Sequence, residues 1–336
     1  MPPLTLDLGV LLLILALGLI FDFINGFHDT ANAIATVVAT RVLSPGRAVL
    51  MAGVLNFVGA LSGTAVATTV GRGIVSPEVS TQTLVISALI AATAWNLVTW
   101  YFGLPSSSSH SLIFSLVGAG VASAGWSSIE FAGLTATFQG LLFSPLLGFA
   151  AAFLVMVLLL NLFARAFPST VSRVFGRAQL LSAAYMAYSH GSNDAQKTMG
   201  VMTMAVASYE HWGGSDWQVP VWIIAFAATA MGLGTSVGGW RIIRTMGLRV
   251  VQLRPINGFA AETAAATVIE AASRLGIPVS TTHTIGSAIL GVGATRRLSA
   301  VRWGIAGQIL MGWIFTIPAC FVLAWTIRTL IGLLGG

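Results

Sequence analysis

Gly103-Leu104-Pro105-Ser106-Ser107-Ser108-Ser109-His110 returns 173 residues later as Gly276-Ile277-Pro278-Val279-Ser280-Thr281-Thr282-His283. Upstream of each string lies a second matched pair, Gly26-Phe27-His28-Asp29 and Gly191-Ser192-Asn193-Asp194, here 165 residues apart. Gly59 with Gly232, and Pro145 with Pro318, keep the 173-residue register. The chain therefore reads as two copies of one unit, and a self-similarity of this kind governs how everything else is read.

Composition sets the class of that unit. Of 336 residues 56% are hydrophobic and only 8% charged, the composition of a polytopic membrane protein. Charge-free runs at 48–70, 81–102, 131–164, 220–240 and 303–327 each match or exceed the roughly 20 residues a helix needs to cross hydrocarbon. They are continuous rather than alternating, which predicts helices and not barrel strands. The net charge of +6 does not indicate nucleic acid, because its arginines sit in short loops: Arg41 and Arg47; Arg165, Arg173 and Arg177; Arg241, Arg244, Arg249 and Arg254; Arg296, Arg297 and Arg302. Segments 71–80, 122–130 and 208–219 are neutral or acidic. With five crossings per copy every basic loop falls on one face, the cytoplasmic one, and both termini lie outside. Five is odd, so the second copy is inverted: an all-α fold of two inverted-topology repeats, 1–164 and 178–336, joined by a basic linker at 165–177. Residues 1–20 lack the basic start of a cleavable signal, and the lone Cys320 excludes an internal disulfide. Each fifth helix is expected to tilt or break at its proline, Pro145 or Pro318.

The chemistry lies in the duplicated strings. A Ser/Thr cluster after Gly-x-Pro and before an apolar run is a helix N-terminus, whose hydroxyls cap backbone N–H groups. At membrane depth such an end must line a cavity or be buried in protein. Helix N-termini favour anions, so two helical hairpins tipped by Ser107, Ser108, Ser109, Ser280, Thr281 and Thr282 would offer a ring of donors suited to a tetrahedral oxyanion. Charges inside the membrane are functional by default. Asp29 and Asp194 hold matching places beside Asn25-Gly26 and His190-Gly191, where a helix interruption and a cation or proton site are expected. Asp22, Glu262 and Glu270 face apolar counterparts in the other copy and are weaker candidates. Lys197, the only lysine, stands where the first copy has Asn32. A fixed ammonium there does electrostatically what a bound sodium ion would do, or else pairs with Asp194.

Through Gly26-Phe27-His28-Asp29-Thr30-Ala31-Asn32-Ala33, His190-Gly191-Ser192-Asn193-Asp194-Ala195-Gln196-Lys197 and the two Pro-x-Ser-[Ser/Thr]-[Ser/Thr]-His strings, the chain resembles the inorganic phosphate transporter (PiT) family over essentially its full length. The resemblance implies a homodimer in a bacterial plasma membrane, with phosphate taken up by an alternating-access, elevator-like motion. It places the hairpin hydroxyls, Lys197, Asn32 and Asn193 at the substrate, and Asp29, Asp194, His28 and Glu262 at ion or proton coupling. Sodium-coupled members show Asp-x-x-Asn in both copies. Here the second reads Asp-x-x-Lys and His28 precedes Asp29, a pattern similar to the bacterial low-affinity, proton-coupled branch, for which a neutral metal–phosphate complex is a candidate substrate. The hydrophilic insert that many such members carry between copies is absent, and a sulfate branch shares the motifs. A proton is the expected co-transported species, with sodium or a divalent metal as alternatives, and no resident cofactor is expected. Two other classes compete. A hydrolase using Ser106 and His110 has no need of an inverted duplicate, and an anion channel has no use for paired buried carboxylates.

Overall fold

The computed structural model describes residues 6–212, 216–295 and 297–334, so Arg296 of the last basic loop lies outside the described residues. Among the described residues twelve α-helices fall into two runs of the same order. The first is α1 (Leu6–Ala39), α2 (Pro45–Ala60), α3 (Ala65–Gly73), α4 (Gln82–Phe102), α5 (Ser108–Ala124) and α6 (Phe131–Leu162). The second is α7 (Pro168–Tyr209), α8 (Val221–Val237), α9 (Trp240–Arg244), α10 (Pro255–Arg274), α11 (Thr281–Ala294) and α12 (Trp303–Leu333), with a π-helical turn at Thr245–Arg249 extending α9. Most of the basic segment 165–177 is thus the first turns of α7.

The predicted hairpins are α4–α5 and α10–α11. Gly103 (φ 66°) and Gly276 (φ 69°) take the left-handed conformation that ends a helix and turns the chain. Ser107 and Ser280 then cap the return helices, each accepting from the backbone N–H of the histidine three residues on at 3.2 Å. Such a cap contributes about 1 kcal/mol.

The expected breaks beside the aspartates do not exist. Both α1 and α7 run through Asp29 and Asp194 without interruption. Their glycines serve packing instead: a Cβ on Gly26 would stand 2.5 Å from the Met231 carbonyl oxygen, and one on Gly191 2.2 Å from that of Asn56. Glycine here lets α1 press onto α8, and α7 onto α2. The breaks fall one element later, where α2 and α3 meet at 70° and α8 and the α9 unit at 59°. The long helices α6 and α12 each continue through their proline.

Among the described residues four helices are long and apolar enough to cross a membrane, or six spans if each bent pair counts once. The sequence predicts ten. The shortfall has a physical cause: α7 and α10 carry the polar residues of the interior, while α5 and α11 are hairpin arms of 17 and 14 residues. Leucines and phenylalanines of α6 and α12, among them Leu142, Phe143, Leu146, Ile314 and Phe315, stay exposed, as lipid-facing side chains do.

Two apolar cores result, and both halves contribute to each. One holds Leu11, Ile14 and Phe21 of α1 with Met199, Met202 and Ala205 of α7; the other holds Ile34 and Val37 of α1 with Ala183 and Met186 of α7. Helix α1 therefore passes from the first core to the second, and α7 from the second to the first. Hairpin α4–α5 packs into the first core and α10–α11 into the second. Between the cores the hairpin tips meet, in a band of buried polar side chains.

Candidate functional site

The tips meet on their own equivalents. Ser280 Oγ donates to Ser107 Oγ at 2.8 Å, and the rings of His110 and His283 lie 4.5 Å apart, each pair separated by 173 residues in sequence. Contacts between counterparts are what a two-fold axis relating the two copies would produce.

The contacts on either side of that axis correspond. Each aspartate accepts from the first hydroxyl of its own half's hairpin: Ser108 Oγ to Asp29 Oδ2 at 2.6 Å, Thr281 Oγ1 to Asp194 Oδ2 at 2.8 Å. Each residue one turn further along the helix reaches the second hydroxyl of the opposite hairpin, Asn32 Nδ2 to Thr282 Oγ1 at 2.9 Å and Lys197 Nζ to Ser109 Oγ at 2.7 Å. Asn32 also reaches Thr281 Oγ1 at 3.3 Å, and Thr282 Oγ1 lies 3.5 Å from Asp29 Oδ1. All of these side chains are almost wholly buried.

Two features break the correspondence. Lys197 spends its three donors on Asp194, on Ser109 and on the Val279 carbonyl oxygen at 2.9 Å, so an all-oxygen shell surrounds a fixed positive charge. Asn32 brings no charge to Asp29. The histidines also differ. His28 Nδ1 lies 2.6 Å from Asp29 Oδ1 and its Nε2 3.0 Å from Thr99 Oγ1, whereas Asp194 Oδ2 is met at 3.1 Å by Nε2 of His190, the counterpart of Asn25.

The predicted donor ring is present, but its hydroxyls point at carboxylates. Ser108 and Thr281 donate to aspartates and Ser109 donates to the Val279 carbonyl at 3.1 Å. An incoming oxyanion must compete for them. Of the predicted residues, two stand apart from the tips. Asn193 turns to Ser273 of α10 at 2.7 Å. Glu262 accepts from Thr36, from Gln179 at 3.0 Å and from Ser182 at 2.5 Å, and Thr36 is two turns along α1 from Asp29, about 10 Å. Two residues went unforeseen. Thr99 accepts from Ser106 at 2.9 Å and connects the hairpin to His28, and Asn56 meets His190 Nδ1 at 2.5 Å. Asn56 is a lone polar residue within an apolar run, the one sign of it in sequence. Ser106 and His110 do not pair: His110 Nδ1 bonds Ser107 Oγ at 2.8 Å. For a metal cation, Asp29, His190 and Asp194 bring one donor atom each to within 4.8 Å of one another.

The profile of the phosphate transporter family matches residues 25–168 and again 163–324. The chain belongs to that family. Within it, the chain is 48% identical to the probable low-affinity inorganic phosphate transporter of Rhizobium meliloti (strain 1021), over 95% of this chain and 96% of that one. It is 45% identical to the protein of the same description from Bacillus subtilis (strain 168), over 93% and 94%. A solved structure titled "The sodium-dependent phosphate transporter" superposes with a TM-score of 0.90 at 25% identity, covering 97% of this chain and 99% of that one. Relatives in the phosphate transporter family are described as transporters, and this chain is an integral membrane transporter rather than an enzyme.

Proposed function

We propose that the chain carries inorganic phosphate across a bacterial plasma membrane by proton-coupled symport, with the two hairpin tips as the phosphate site and Asp29 and Asp194 as the coupling groups. The observation that carries this reading is the direction of the tip hydroxyls. Phosphate can take Ser108 and Thr281 only by taking them from Asp29 and Asp194. A buried carboxylate stripped of a hydrogen bond loses about 1.5–3 kcal/mol, more if left unpaired. At Asp194 the Lys197 ammonium already offsets that loss. At Asp29 a co-bound proton must do so, which makes anion and proton bind together. Lys197 also favours proton over sodium, because its ammonium fills the oxygen shell that a sodium ion at the second half-site would use.

Helices α1 and α7 crossing the two cores in opposite senses fit inverted repeats with both termini outside, 1–164 and 178–336, that exchange access by an elevator-like motion of the hairpins, in a homodimer. A second reading is favoured by one observation: the Asp29, His190 and Asp194 atoms within 4.8 Å suit a cargo of neutral metal–phosphate complex. Purified protein in vesicles tests both. Uphill phosphate uptake driven by an inward proton gradient without sodium, and not inhibited by excess sulfate, is expected. Uptake driven by a sodium gradient at constant pH would overturn proton coupling. Dependence on added magnesium would select the complex as cargo.

A further inference from the structure

One ridge of α1 is polar over more than a third of the helix. Asp22, Asn25, Asp29, Asn32 and Thr36 follow one another at intervals of three, four, three and four residues, the spacing that keeps side chains on one helical face. All five are buried, and Thr36 ends the row on the carboxylate of Glu262. The row spans about 20 Å at 1.5 Å per residue. In the second half the same positions are Ala187, His190, Asp194, Lys197 and Val201, with Leu89 in place of Glu262. That row is apolar at both ends, so symmetry does not account for the polar extension of α1.

The row is short of hydrogen-bond donors. Asp22 Oδ1 accepts from Thr198 at 2.8 Å, but Asp22 Oδ2, Asn25 Oδ1 and Asn32 Oδ1 are buried with no protein donor. Buried acceptors without partners are rare and call for an explanation. Asp29, Asp194 and Glu270 each have a cationic or histidine neighbour. Among the described residues Asp22 has no such neighbour within ion-pair distance; Thr198 donates to it, and the Asn25 side chain faces its carboxyl group as a second hydrogen-bonding partner. The groups facing it are Asn25 on its own helix and Thr198, Asp194 and Lys197 on α7. Of the other helices along this part of α1, α8 has no ionisable residue and α4 only Tyr101 at its far end. Gly239 and Gly247 seat the α9 unit, with Arg241, Arg244 and Arg249, against Phe27 and Ala35, the other end of α1. Arg47 of α2, Glu262, Glu270 and Arg274 of α10 and His283 of α11 complete the set.

We propose that Asp22 is a second proton-binding site, sharing its proton with Asn25, and that it is loaded and emptied during the transport cycle. A proton on Asp22 Oδ2 gives that oxygen a bond to make and gives Asn25 Oδ1 a donor, so one proton satisfies two orphaned atoms. Release reverses this: the proton leaves the carboxyl group and the Asn25 amide turns its Nδ2 toward the carboxylate. Two oxygens suffice for a proton, whereas a metal cation needs a shell of several.

The inference rests on the proton-coupled reading only for its transport step, so its test begins with a measurement that involves no transport. Infrared difference spectra of the purified protein, recorded across a pH step, should show the carbonyl stretch of a buried carboxylic acid. That band should vanish in Asp22→Asn and shift in Asn25→Leu, where its partner is gone. In vesicles Asp22→Asn should still bind phosphate but move one fewer proton per phosphate than wild type. Absence of the band, or its persistence in Asp22→Asn, overturns the site. A band that vanishes while the proton-to-phosphate ratio stays unchanged overturns its part in transport, since the proton would then be a resident one. Should Asp22→Asn fail to reach the membrane, Asn25→Leu alone decides: an unshifted band refutes the shared proton.

Discussion

Asp29 and Asp194 occupy the same place in two copies of one unit, yet the charge that balances each comes from a different source. Asp194 carries a permanent counter-ion in Lys197, itself saturated by Ser109 and the Val279 carbonyl. Asp29 has neutral Asn32 at that position and depends on His28, on hydroxyls and on whatever it binds. One carboxylate has a built-in counter-ion and the other has none. The exchange of lysine for asparagine between the copies makes that difference, and the polar row on α1 lies on the side without the ammonium.

The largest effects should come from the carboxylates themselves. Asp29→Asn and Asp194→Asn should each lower coupled uptake at least 100-fold in vesicles, but by different routes. Removing one partner of a buried ion pair costs about 3–5 kcal/mol, so Asp194→Asn strands Lys197 and should lower the thermal midpoint of the detergent-purified protein. Asp29→Asn strands no fixed charge and should melt near wild type while failing to couple. Equal melting of the two variants would erase the distinction between the half-sites.

Making the second half-site resemble the first sharpens it. Lys197→Asn removes the only ammonium beside the anion, and phosphate affinity should fall roughly 10- to 100-fold, the scale of one charge-assisted hydrogen bond. Isothermal binding at constant pH measures it. Wild-type uptake should ignore a sodium gradient, while the variant should acquire some response to one. Steep sodium dependence in the wild type would mean that Lys197 is only Asp194's structural partner.

Next come the hydroxyls that phosphate must capture. Ser108→Ala and Thr281→Ala each delete a donor to an aspartate, and each should weaken phosphate binding about tenfold if the lost bond is worth near 1.4 kcal/mol. Because Asp194 keeps Lys197, Thr281→Ala should leave the coupling ratio intact. Ser108→Ala should loosen it. Unchanged affinity in both would reduce the clusters to helix caps.

Much of this was legible in sequence, for reasons that also mark where reading fails. The hairpins were visible because Gly-x-Pro followed by hydroxyls specifies a turn and a cap within a few residues, and the structure places both at Gly103–Ser107 and Gly276–Ser280. Glycine beside a polar residue was ambiguous. At Gly26 and Gly191 it suggested a break, but the missing side chain is used by a carbonyl of another helix, a tertiary fact with no local sign. The same limit applies to Asn193 and Glu262, whose partners Ser273 and Gln179 are far away in sequence. Membership of the Asp29 network was readable for Asn32, one helical turn on, and not for Thr99, which reaches it only through the fold of the hairpin.

The smallest effect bears on the axis itself. Ser107 and Ser280 are equivalents that touch, yet they are not equally engaged. Ser280 Oγ accepts from the backbone of His283 and donates to Ser107. Ser107 Oγ accepts from the backbone of His110 and from Ser280, so its own proton is left for His110 Nδ1, 2.8 Å away. That assignment leaves His110 neutral with its proton on Nε2. Ser280→Ala should therefore cost one cap and one hydrogen bond, about 1–2 kcal/mol. Ser107→Ala removes the cap, the inter-hairpin bond and the donor to a buried imidazole nitrogen, and should cost about 1 kcal/mol more. Thermal melts of the two variants in the same detergent measure the difference. A loss in Ser280→Ala as large as that in Ser107→Ala would mean that the Ser107–His110 bond adds nothing to stability, and the two tips would then be energetically equivalent.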